Sequence, residues 1–281
     1  MRKAAVSTGK IFLYFVLMAL SVAGLMTFVM PAVTDALGMS QAPPQMVTVG
    51  VVNFIAMTVP AMALMGLIDG KSPMAMGLHP RRSIGDFLTG SAVGGGIFVA
   101  ALAAAVFGGW AEVDPDLSKA SMTAMAVSAF GMTLAAAGEE VMMRGYILQE
   151  LMSKFSTPVA VVVSSVLFAG LHGAQMAGSP MMPVAALNIF LASVMLSLAY
   201  LATRTLWLPI GLHAGWNVVQ GPVLGINVSG TDIAATGWQP VTFTGPEMMT
   251  GGAFGFEASV LGLIGPTLGI LMMLAMRKRA S

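Results

Sequence analysis

Three short stretches of this chain place hydrogen-bonding and ionisable side chains where almost everything around them is apolar. The first is Glu139-Glu140-Val141-Met142-Met143-Arg144, reached after 124–137 without a single charge. Charged side chains in an apolar span cost about 2.5–3.5 kcal/mol each on insertion scales and generally serve a function. On a helix, Glu140 and Arg144 share a face and can pair, whereas Glu139 points about 100° away and has no such partner. An unpaired carboxylate in apolar surroundings is suited to accept a proton near neutral pH, so Glu139 reads as a base and Glu140 as a structural partner. The second stretch is Phe168-Ala169-Gly170-Leu171-His172, the third His213-Ala214-Gly215-Trp216-Asn217. His213 and Asn217, one helical turn apart, are donors of the kind that hold a developing oxyanion. The bland alternatives are an ion cluster that locks helices together, a packed polar histidine, and interhelical glue from His and Asn.

These groups need a scaffold, and composition says what it is. Apolar residues make up 57% of the 281 and charged residues 9%, with apolar runs recurring along the whole length. A soluble core would interrupt such runs with charged faces, so the expected fold class is all-α: a polytopic membrane helical bundle. Eight spans can be read, approximately 11–31, 46–68, 87–108, 121–143, 157–177, 184–203, 208–225 and 256–276, each long enough to cross about 30 Å of hydrocarbon. The whole of 1–281 reads as one integral membrane domain, with 121–225 as the core that carries the motif residues. The first apolar run is longer than the usual signal-peptide h-region, so an uncleaved first span is expected.

Eleven basic residues (Arg2, Lys3, Lys10, Lys71, Arg81, Arg82, Lys154, Arg204, Arg277, Lys278 and Arg279) fall on one side of this bundle. Lys119 alone falls on the other, beside Glu112, Asp114 and Asp116, with Asp35, Asp232 and Glu247 in further loops. The positive-inside rule then makes both termini cytoplasmic. The net charge of +1 gives no reason to expect nucleic acid as a partner. Cysteine is absent, which removes disulfides, thiolate metal sites and cysteine nucleophiles. The 26 methionines read as flexible apolar filler. His79 falls in a solvent-exposed cytoplasmic segment with Arg81 and Arg82 and receives no role. The long outward connection 226–255, rich in Gly, Thr and Pro and containing Trp238, reads as turns and interfacial aromatics without a catalytic part. No internal repeat is evident.

Depth decides whether the motifs can meet. If spans four and five form a hairpin turning near Phe155–Ser156, Glu139 lies about 16 residues before the turn and His172 about 16 after, at similar depth. His213, near the start of span seven, comes out shallower. Either that span starts deeper than drawn, with Trp207-Leu208-Pro209 submerged, or a tilted helix closes the gap.

Glu-Glu-x3-Arg, Phe-x3-His and His-x3-Asn in this order on successive spans resemble the CPBP family of intramembrane proteases, which includes type II CAAX prenyl endopeptidases and bacteriocin-processing or self-immunity proteins. The resemblance covers about 139–217. It implies a peptide-bond hydrolase inside the bilayer, its cavity open to the cytoplasm, acting on membrane-embedded or lipidated peptides. Carried over, Glu139 is the general base on water with His172 as its partner, His213 and Asn217 hold the oxyanion, and Glu140 and Arg144 support the site. No cofactor is expected, although two histidines and a glutamate could make a zinc site with one open position. The rival functions are a non-catalytic immunity or scaffold protein and, ranked last for want of a repeat, a proton-coupled transporter. The composition has a bacterial look, which would put the chain in an inner (cell) membrane.

Overall fold

A computed structural model describes residues 2–36, 45–114, 116, 118, 120–231 and 238–280. Lys119 and Asp232 of the charge count lie outside them. The chain is a bundle of helices. Helix α1 (Arg2–Gly24) continues through a π-helical turn into α2 (Met30–Ala36), followed by α3 (Gln45–Ala63) and α4 (Ser83–Phe107). Helices α5 (Met122–Glu140) and α6 (Leu148–Met152) are joined without a break by the π-helical turn Val141–Ile147. Then come α7 (Thr157–Leu171), the single turn α8 (Gly173–Met176), α9 (Met182–Thr203), α10 (Trp207–Val218), the short α11 (Glu247–Thr250) and α12 (Ile264–Ala280). The strands β1 (Ala111–Val113) and β2 (Val241–Phe243) pair antiparallel, Glu112 opposite Thr242.

Four stretches are long and apolar enough to cross a bilayer: Thr8–Val33, Met46–Ile68, Ser83–Phe107 and Met182–Thr203. Two shorter apolar helices, Thr157–Leu171 and Ile264–Met276, accompany them. Large apolar side chains such as Phe12, Phe28, Leu67 and Phe107 stand exposed, as lipid-facing residues of a membrane bundle do. The spans expected from sequence differ at several ends, the first helix beginning at Arg2 instead of 11. The fourth helical stretch runs on to Met152, α7 stops at Leu171, and the last helix begins at Ile264 instead of 256. Gly255, at φ 108°, turns the backbone where the apolar run suggested helix, and Phe256–Ala258 form a 3-10 turn.

Two tight helix pairs set the depth of everything else. Gly94 of α4 leaves no room for a Cβ against the Leu212 carbonyl of α10, and Gly215 of α10 is equally close to the Ser91 carbonyl. Backbones this close need small residues on both helices. Helix α3 meets α5 in the same way, Gly50 against Gly131. On the face that carries Lys71, Arg81, Arg82, Lys154 and Arg204, the bundle is sealed by Met76, Met142, Met143, Tyr146 and Leu206, all buried. Lys10 pairs there with Asp69 and lies 3.7 Å from Glu150.

Candidate functional site

The long helix through α5 and α6 resolves the question of depth. Gly145 lies against Leu206 and Met76, so this helix runs below the start of α10 by the rest of its length. Glu139 is six residues above Gly145, and His213 seven above Leu206. At 1.5 Å per residue both rise about 9–11 Å from the same level. Span seven therefore starts deeper than a count from the Phe155 turn suggests, and His213 meets the acidic pair.

His213 Nδ1 lies 2.9 Å from Glu140 Oε1, and its Nε2 lies 3.9 Å from Glu139 Oε2. Arg144 Nη1 donates to Glu140 Oε1 at 2.9 Å, while Nη2 donates to both the carbonyl and the hydroxyl of Ser193 on α9, each at 2.8 Å. The guanidinium also sits 5.1 Å from the centre of the Phe168 ring. Glu140 and Arg144 are fully buried, so this pair is a desolvated tie among α5, α9 and α10. The π-helical turn starts directly after Glu140, where Leu148 N–H reaches back five residues to the Met143 carbonyl. Such widened turns re-aim side chains at functional positions.

Glu139 differs from Glu140 in exposure: its side chain keeps 19%, although Oε2, like Glu140 Oε2, is buried without a hydrogen-bond partner. It borders a cavity of about 200 Å3 together with Asn53, His172, His213, Asn217 and Ser229. That is room enough for water and for polar atoms of a substrate. His172 stands where α7 ends, and its Nδ1 lies 2.9 Å from the Phe168 carbonyl oxygen. A carbonyl can only accept, so Nδ1 carries the proton and Nε2 is left with its lone pair.

The six residues singled out from sequence thus gather around one cavity and its supporting ion pair. Two expectations are corrected. The imidazole nearest Glu139 is His213, because Glu140 anchors it there, whereas His172 is bonded to its own helix. The cavity is also not open toward the basic face. Its walls include Met46 and Val49 in the first turns of α3, Gln175 beyond the end of α7, and Val228 and Thr231. These helix ends are remote from Lys71, Lys154 and Arg204, and the basic side is closed by the packed methionines below Glu140.

The connection 226–255, set aside in the sequence, packs onto the site. Val228-Ser229-Gly230-Thr231 is a tight turn with positive φ at Ser229 (48°) and Gly230 (79°). Ser229 donates from both N and Oγ to buried Glu257. Gln220 takes the Trp216 indole N–H at 2.7 Å and donates to the Asn227 carbonyl at 2.6 Å. Trp238, expected at a membrane interface, is buried, its Nε1 donating to the Val223 carbonyl. Residues 232–237 of this connection lie outside the described ones. Ser193, Asn53 and Ser229 offered no signal in the sequence. Glu257 did: it is an acid inside a run read as a span, the same pattern that marked Glu139.

Among known families, residues 121–219 match the one described as type II CAAX prenyl endopeptidase Rce1-like. This segment, about a third of the chain, is similar to that family. That similarity, together with four helices long and apolar enough to cross a bilayer, makes the protein an integral membrane protein. The Rce1-like segment begins just before α5 and ends one residue past α10, so it contains all three motifs and both helices of the hairpin. The roof formed by 226–231 and 238–263 lies beyond it. No curated protein matches the chain.

Proposed function

We propose that the protein is an endopeptidase that hydrolyses peptide bonds within the membrane by glutamate-activated water. The observation that supports this best is Glu139, a half-buried carboxylate bordering a cavity of about 200 Å3 beside two differently held imidazoles. Glu139 takes a proton from a water molecule, and the resulting hydroxide attacks the scissile carbonyl carbon. His213, held through Nδ1 by Glu140, presents Nε2–H when protonated. With Asn217, one turn further along the same helix, it donates to the oxyanion. His172, with Nε2 unprotonated, orients the water. As the tetrahedral intermediate collapses, Glu139 returns its proton to the leaving amine nitrogen, so atoms and charge balance.

Zinc was the alternative for the same residues. Among the described residues no three His, Asp or Glu side chains come together as metal ligands. His213 and His172 hold Nδ1 in hydrogen bonds to Glu140 and to the Phe168 carbonyl, and the steps above use their Nε2 atoms without a metal. Access to the cavity from the face opposite the basic residues favours a substrate segment that enters from the outer half of the bilayer. The test is cleavage of quenched-fluorescence peptides by purified protein in lipid nanodiscs. Glu139→Gln should lose about 10²–10⁴-fold in kcat/KM, the usual worth of a general base, with an unchanged melting temperature. Full activity in Glu139→Gln would overturn the reading, and so would loss of activity on chelation that zinc restores.

A further inference from the structure

Next to the wet cavity lies a second chamber, and the two share His172, His213, Asn217 and Ser229 as a common wall. The second chamber is largely apolar, lined by Phe168, Ile189, Met195, Leu212, Trp216 and Pro266 among others. It opens onto the groups that would act on a scissile bond, which is where a protease keeps the side chain that sets its specificity. Two polar groups interrupt the apolar lining. One is Glu257, 7% exposed; the other is Asn188, 1% exposed, whose Nδ2 has no hydrogen-bond partner.

Glu257 is the informative one. A buried carboxylate is normally paired with a cation, because leaving it alone costs several kcal/mol. Arg144 meets that need for Glu140. Among the described residues no lysine or arginine forms an ion pair with Glu257; the backbone N–H and hydroxyl of Ser229 and the Gln220 amide donate to it, and the His172 imidazole lies within electrostatic reach. These fix its position without supplying a permanently charged partner. Ser229 in turn sits at positive φ, a conformation that costs energy for a residue with a side chain and is retained where the surroundings over-determine it. Asn188 adds an unpaired donor in the same chamber.

We propose that this chamber is the specificity pocket of the protease suggested above, and that it takes a side chain with an apolar stem and a cationic end, lysine first, which pairs with Glu257. The stem would lie along Trp216 and Leu212, and the ammonium would give the carboxylate a permanently charged partner. Asn188 Nδ2 would donate to a carbonyl of the same substrate segment. An apolar side chain of equal length would fill the pocket but leave the carboxylate unpaired.

This inference rests on the protease reading, so its test has one arm that does not. Full-length protein in nanodiscs is given quenched peptides that share an apolar segment and differ at one position, walked across the sequence, occupied by Lys, Gln or Leu; mass spectrometry locates each cut. Wild type should cut beside Lys in preference to Leu. Glu257→Gln, which can still accept from Ser229, should reduce the Lys/Leu ratio of kcat/KM by roughly a hundredfold while Leu peptides are cut as before. An equal ratio in wild type and Glu257→Gln, or equal losses for every peptide, overturns the pocket and leaves the protease standing. In the arm without catalysis, n-butylammonium should raise the melting temperature of both wild type and Glu139→Gln but not of Glu257→Gln. A shift retained in Glu257→Gln, or absent from all three, overturns the proposal. Peptides left uncut by wild type would instead overturn the protease reading.

Discussion

Arg144 shows how one side chain can hold three helices. It gives one nitrogen to Glu140 and the other to two oxygens of Ser193, and its plane lies near the Phe168 ring. Arg144→Ala would strand a fully buried carboxylate, at a cost of about 3–5 kcal/mol. Thermal unfolding in detergent should therefore shift strongly downward, and His213 would lose the fixed charge pattern that orients it. Arg144→Lys keeps the charge but not the planar fork, so it should recover part of the stability and little of the alignment. The Glu140–Arg144 pair was legible in the sequence because four-residue spacing on a helix is a local property. Ser193 was not. Its role depends on which face of α9 meets α5, and a serine in an apolar span has no distinguishing neighbours.

At the level of helices, contact between backbones decides where catalytic groups stand. The α4–α10 seam braces the helix that carries His213, with Gly94, Gly211 and Gly215 among its tight points. Gly94→Val should push the two helices apart, costing about 1–3 kcal/mol by overpacking. Its sharper effect should be on catalysis: even a 1 Å displacement of His213 would lower kcat by roughly a hundredfold. Measured kcat beside melting temperature separates the two. The order and number of helical stretches could be read from apolar runs alone. Their ends could not, since Gly255 and the 3-10 turn after it lie in residues as hydrophobic as a span. The depth of α10 was equally hidden, because it depends on Gly145 meeting Leu206 and not on the length of any loop.

For the molecule as a whole, the sides of the bundle differ in kind. The basic face is packed shut, while the opposite face leads to the cavity through the first turns of α3, Gln175 and the 228–231 turn. Since the chain contains no cysteine, single cysteines can report on this directly. Gln175→Cys and Thr231→Cys should react with a membrane-impermeant maleimide applied to intact cells. Arg81→Cys and Arg204→Cys should react only after permeabilisation. The reverse pattern would invert the orientation deduced from the basic residues. The continuous helix from Met122 to Met152 has a separate implication for biogenesis. It emerges from the ribosome with Glu139, Glu140 and Arg144, yet Ser193 and His213 are made some fifty and seventy residues later. Until then its polar cluster is only half satisfied, so this helix settles in the bilayer late, together with α9 and α10. The side chains proposed for bond cleavage are then the same handful that would complete membrane integration.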